Sequence, residues 1–332
     1  MLNHKVEIII SIFLISIITF TTFYYELPFK SFGDLWSHIA SVGELKNPLD
    51  QLGDPYFKEG IKDPHYGPYF VFIALLSNLT NINYVILMAV LGIISAVFLY
   101  FAVLKTYYTF LPARKKYAID KFVLMIAVFF MWESFKTSYA GYYSLADIGI
   151  TALFPHIFAT GVFLVGISMI IKLFEYQLSH PSIDKRMFIS YISLAFIAAF
   201  ITLTHVITGV IFFYSYVCIG VYYFLVKGKR KITRAYVSNI FVLIFALLLT
   251  LLWPYYDILS PFQNLQTVHT DQPLVAIFEF KDWLEVAGIA FLAVVAAIKS
   301  KNKLMFFWFL ALAFIAASYL YPIRISSYWR FF

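Results

Sequence analysis

Asp34 and His38 stand four residues apart in Phe32-Gly33-Asp34-Leu35-Trp36-Ser37-His38, near the start of a polar stretch in a chain that is otherwise largely hydrocarbon. If residues 33–45 form a helix, the two side chains share one face a turn apart. A carboxylate and an imidazole so placed can share a proton or a ligand, and a carboxylate with a suitable pKa can act as general base toward a hydroxyl. The plainer alternative is an amphipathic interfacial helix with both groups solvated. The same polar stretch, residues 26–69, ends on Asp63-Pro64-His65-Tyr66-Gly67-Pro68 and adds a second imidazole.

Other ionisable groups sit where a solvated loop is not the obvious explanation. His156 follows Leu153-Phe154-Pro155, His205 follows Thr202-Leu203-Thr204, and Glu133 lies in Met131-Trp132-Glu133-Ser134. Ionisable side chains at membrane depth usually face the protein interior or a wet cavity and serve function. The alternative for each histidine is a hydrogen bond to a neighbouring helix. Asp34 and His38 with His65, His156 or His205 offer the carboxylate and imidazoles that a divalent cation takes. No two-histidine metalloprotease helix and no cysteine cluster is present, so the spacing does not support zinc. Mg²⁺ or Mn²⁺ stays open. There is no glycine-rich phosphate loop, no G-x-S-x-G elbow and no arginine-rich voltage-sensing helix.

The elements that must carry these groups are membrane spans. Of 332 residues, 62% are hydrophobic and 13% charged, at a mean hydropathy of +0.81. A soluble domain averages about 45–50% apolar and about 25% charged, so the composition predicts an all-α, polytopic transmembrane bundle. Apolar runs of spanning length occupy roughly 6–25, 84–107, 120–135, 151–173, 188–205, 206–226, 235–256, 284–299 and 304–321, about nine spans. The run 188–226 exceeds one bilayer and is divided at His205. Residues 69–79 are too short to cross and fit a half-buried or re-entrant helix. Lys5 precedes an apolar run that ends in Phe23-Tyr24-Tyr25 without a small-x-small cleavage site, which reads as an anchor. Cys218, the single cysteine, lies in an apolar run and excludes a disulfide framework. No repeat or linker divides the chain, so residues 1–332 read as one membrane domain.

Charge orients the bundle. Loops assigned inside hold 17 of the 25 basic residues, among them Arg114, Lys115, Lys116, Lys229, Arg230 and Lys231, and only four of the 18 acids. Positive-inside bias then places the N-terminus inside and the loop 26–69 outside. The net charge of +7 thus belongs to cytoplasmic loops and implies no nucleic-acid partner. The outer side carries five of the seven histidines and two arginines, Arg324 and Arg330. Arginine suits bidentate phosphate contacts, although snorkelling at the interface is the ordinary alternative. The last residues, Tyr328-Trp329-Arg330-Phe331-Phe332, fit an aromatic belt or a C-terminal truncation.

An inside N-terminus, a long outer first loop with an Asp about ten residues past the membrane, and many further spans resemble the glycosyltransferase C superfamily of polytopic membrane enzymes. The stretch Phe32 to His38 resembles the Gly-Asp-x-x-x-His version of its bacterial and archaeal members of uncertain substrate, and Asp63 to Tyr69 resembles the Pro-rich lead-in to their second helix. Many relatives carry two adjacent acids, whereas Asp34 is flanked by Gly33 and Leu35. The resemblance implies a multi-pass plasma-membrane glycosyltransferase. It would move a sugar from a polyprenyl-phosphate donor to a glycan, lipid or protein acceptor on the extracytoplasmic face. Asp34 would be the general base, with His38 orienting it or binding the donor phosphate. His65, His156, His205, Arg324 and Arg330 would bind substrate. The competing reading is a transporter or lipid flippase with a polar path through His156, His205 and Glu133. A third is a non-catalytic membrane subunit whose outer loop is a docking surface.

Overall fold

The computed structural model describes residues 2–26, 33–48, 51–53, 65–113, 117–129, 148–180, 182–227, 234–255, 302–304 and 308. All regular structure among them is helical. In chain order α1 is Leu2–Phe20, continued by a π-helical turn Thr21–Glu26, and α2 is Gly33–Glu44. Then come α3, Pro68–Thr80, α4, Tyr84–Phe110, α5, Ala118–Phe129, and the short α6, Ile148–Thr151. Next are α7, Pro155–Ser179, and α8, Lys185–Thr204. α9, Val206–Tyr222, runs on as a π-helical turn Tyr223–Lys227, and α10, Arg234–Val237, leads into α11, Asn239–Leu251.

Five of these helical stretches are long and apolar enough to cross a membrane: Lys5–Tyr24, Tyr84–Phe110, Pro155–Ser179, Lys185–Thr204 and Thr208–Lys227. At 1.5 Å per residue, 20 residues reach about 30 Å, the thickness of a bilayer's hydrocarbon core. Large apolar side chains on them lie exposed, as Ile8, Ile9, Ile12 and Phe13 do on α1. Water would not cover such a surface, and lipid does. The chain is therefore a membrane protein. α3 and α11 are apolar but have 13 residues each, and α5 has 12. Of the nine expected spans, 284–299 and nearly all of 304–321 lie outside the described residues, as does the end of 120–135. The division at His205 is seen directly, since α8 ends at Thr204 and α9 begins at Val206.

The chain forms two compact units. The first holds α1 to α6, α7 as far as Leu164, the junction Leu203–His205 and the segment beginning at Trp253. Ile10, Leu14 and Ile18, spaced four apart on α1, pack against Ala96, Leu99, Tyr100 and Leu104 of α4 and Met125 and Phe129 of α5. The helix period alone puts such residues on one stripe. Gly92 lets the chain after α6 come close, for a Cβ there would stand 2.6 Å from the Ala152 carbonyl oxygen. At one end of this unit the buried Lys121 pairs with Glu7. Beside it the Tyr107 hydroxyl donates to Asp120 Oδ2 at 3.2 Å. α3 starts on Pro68, where a missing N–H costs nothing. It ends on Asn81, whose φ of 58° is the left-handed conformation that stops a helix. Asn83 then caps α4, its side chain accepting from the Val85 amide at 2.8 Å.

The second unit is built chiefly from Val165–Thr202 and Val206–Leu252. Gln177 and Asn239 are buried and exchange two amide hydrogen bonds of 3.1 Å. Tyr216 donates to Asn239 Oδ1 at 2.8 Å, and Gln177 donates to the Tyr191 hydroxyl at 3.0 Å. This network leaves its amides satisfied, as an apolar surrounding requires.

Candidate functional site

The α2 segment has the apolar spacing of a half-buried helix. Leu35, His38, Val42 and Leu45 are buried along one stripe, while Trp36 is 56% exposed on the other side. His38 therefore enters the interior as part of the apolar face, and only 6% of it remains exposed. Asp34 stands one turn earlier on α2, but its side chain lies outside the described residues.

The loop before α3 brings His65 to His38. Their rings meet edge to face with centroids 4.9 Å apart. This loop is held at three points. The buried Tyr66 donates its hydroxyl to the Gly53 carbonyl. Trp253 Nε1 donates to the Tyr66 carbonyl at 2.8 Å. Gly67 lies so close to the Leu203 carbonyl that a Cβ would collide with it, and that Cβ would stand 3.3 Å from Thr204 Cα. Here glycine is required for close approach, since its φ of −74° is open to any residue.

Two helix ends supply the remaining imidazoles. Pro155 opens α7, and His156 follows it in the first turn. His205 is the one residue between α8 and α9, so its imidazole sits at a break in the helix rather than on a helical stripe. The His156 and His205 ring centroids are 5.7 Å apart. Phe154 links the two pairs, with centroids 5.1 Å from His38 and 5.8 Å from His156. Phe70 of α3 lies 5.1 Å from His38. Four histidines from four separate stretches of chain thus meet in the first unit.

Burial holds the His38 imidazole well below its ordinary pKa, and repulsion from His65, His156 and His205 lowers it further. His38 is accordingly neutral at pH 7. Its Nδ1 is buried without a hydrogen-bond partner, and so is the Thr204 hydroxyl oxygen. A buried polar atom left unpaired costs about 1–3 kcal/mol, and native proteins leave few. Both belong to the surroundings of the cluster, Thr204 being the residue before His205.

Among the sequence-predicted residues, the structure brings together His38, His65, His156 and His205. Arg324, Arg330 and Glu133 lie outside the described residues. Among the described residues no three His, Cys, Asp or Glu side chains are disposed to hold a metal ion. Thr204, Gly67, Tyr66 and Trp253 were not singled out by the sequence reading. The Gly67-Pro68 and Trp253-Pro254 pairs mark turn positions, but which carbonyl each turn meets depends on the tertiary fold. No family model, no curated protein and no solved structure matches this chain.

Proposed function

We propose that this protein is an integral-membrane glycosyltransferase that takes a sugar from a polyprenyl-phosphate donor on the extracytoplasmic face of the plasma membrane. In this reading it has about nine spans and an inside N-terminus. The observation that carries it is the cluster of four imidazoles, His38 buried and the other three partly so, with an unpartnered nitrogen on His38 one helical turn from Asp34. The acceptor hydroxyl attacks the anomeric carbon and gives its proton to Asp34. The bond from that carbon to the phosphate oxygen breaks, and polyprenyl phosphate leaves with the electron pair. His38 orients Asp34 or meets the phosphate, and His65, His156, His205, Arg324 and Arg330 bind the donor. Charge developing on the leaving oxygen is best met by donors fixed in a dry site.

The polar groups of the first unit support transfer over transport. The histidine cluster lies beside Phe154, near Gly92 on α4, whereas the polar residues around Lys121 lie near Tyr107 of the same helix, about 22 Å further along it. Between them the described interior is mostly apolar, Leu14, Ile18, Ala96, Leu99 and Ile157, and the hydroxyls of Ser95, Tyr100 and Thr106 that interrupt it bond to backbone carbonyls. A path for a charged solute wants polar lining throughout.

The deciding experiment supplies membranes containing the protein with a panel of polyprenyl-phosphate sugars and follows sugar release. Release that depends on Asp34 is expected. Absence of release across the panel, together with solute or lipid movement in proteoliposomes, would establish the transporter or flippase reading.

A further inference from the structure

His38 is held among rings rather than charges. His65 comes from the loop before α3, Phe70 from α3, Phe154 and His156 from the start of α7, and His205 from the junction of α8 and α9. α4, which also packs on α2, brings Tyr84 to its far end beside Gly43, where Lys46 lies over the Tyr84 ring. α2 itself adds Asp34 one turn before His38 and Glu44 in its last turn. The groups directly beside His38 are therefore imidazoles and phenyl rings, and its Nδ1 has no partner.

We propose that this cluster binds a phosphoryl oxyanion together with one proton, His38 Nδ1 and the Thr204 hydroxyl being the contacts left open for it. The choice of a phosphoryl group as the anion rests on the transferase reading. Neutral imidazoles offer an anion no net charge, whereas an imidazolium donates a charge-assisted hydrogen bond. The proton comes from solvent and forms an N–H bond on His38, and no other covalent bond changes. An anion entering this site and a proton entering it each lower the cost of the other, which is linkage in its ordinary form. A donor bound in this way arrives with its leaving group already neutralised by a dissociable charge rather than a fixed one.

The full-length protein in detergent or nanodiscs is titrated calorimetrically at pH 8 with inorganic phosphate and, separately, with farnesyl phosphate, each in two buffers of different ionisation enthalpy. Uptake of about one proton per anion is expected, with affinity falling about tenfold per pH unit above neutrality. His38→Gln should abolish the proton uptake. Thr204→Val, which keeps the shape, should weaken binding at least several-fold while the fold, followed by thermal melting, is retained. Binding of both ligands marks a free phosphoryl site, and binding of farnesyl phosphate alone marks the lipid as its source. Either result with proton uptake supports the inference. Binding without proton uptake, no binding of either phosphate, or competition by Mn²⁺ at the same site overturns it. Sugar transfer without proton-linked binding would sink this inference and leave the transferase standing, and proton-linked binding without transfer would do the reverse.

Discussion

At the scale of single residues, the roles proposed for Asp34 and His38 are separated by their variants. A general base contributes roughly 10² to 10⁴ in rate. Asp34→Asn keeps the shape but not the basicity, so turnover in the sugar-release assay should fall by at least that order while expression and donor binding stay nearly unchanged. Full activity in Asp34→Asn would remove Asp34 from the mechanism. Arg324→Ala reports a different function: a contact made equally in ground and transition states raises KM, and one made only to the leaving charge lowers kcat. His38 also links stability to pH. Its folded pKa is depressed below about 6.5, so in the absence of ligand the unfolded chain binds the proton that the folded chain refuses. Stability is therefore full above about pH 6.5 and declines as pH falls below it. The melting temperature should drop between pH 7 and pH 5, and His38→Gln should flatten that slope.

At the scale of elements, the site depends on how closely a loop and a helix end approach. A methyl group on Gly67 has to displace the Leu203 carbonyl or the loop itself, and overpacking of this kind costs about 1–3 kcal/mol. Gly67→Ala should lower the melting temperature and weaken phosphate binding together, because His65 and Thr204 sit on the two sides of that contact. A Gly67→Ala protein with unchanged binding would show that the loop is not what positions the cluster. The Glu7–Lys121 pair ties α1 to α5 at the opposite end. Removing one partner of a fully buried pair costs about 3–5 kcal/mol, an upper bound here because Glu7 is partly exposed, whereas an apolar pair in its place is near neutral. Lys121→Met alone should destabilise strongly and Glu7→Leu with Lys121→Met much less, as read in a double-mutant cycle by thermal unfolding. The sequence made α2 and the break at His205 legible because each rests on local properties, the i to i+4 spacing in one case and the length of an apolar run in the other. It did not reveal the Tyr66–Trp253 hydrogen bond or the Gly67–Leu203 approach. Those join residues more than a hundred positions apart, and no periodicity encodes them.

At the scale of the whole molecule, hydropathy and charge answer different questions. Hydropathy identified stretches that are helical and apolar, and five of them reach spanning length. It ran past α11, which ends at Leu251 where the expected span continues to 256, while the end of the span 120–135 lies outside the described residues. A sliding apolar window does not sense where a helix ends, because capping and turn residues decide that and carry little hydropathy weight. Charge alternation instead concerns sidedness. If the loop around Lys115 is cytoplasmic and residues 26–69 lie outside, the imidazole cluster faces the compartment where polyprenyl-linked donors are used. Labelling with a membrane-impermeant thiol reagent decides the matter. Cys218 is half-buried in α9 and is first replaced by serine to clear the background. A cysteine placed at Lys115 should then react only after lysis, and one placed at Asp54 should react in intact cells or spheroplasts. The reverse pattern would put Asp34 and the four histidines against the cytoplasm, and an outer-face transferase would no longer describe the protein even if its phosphoryl site were real.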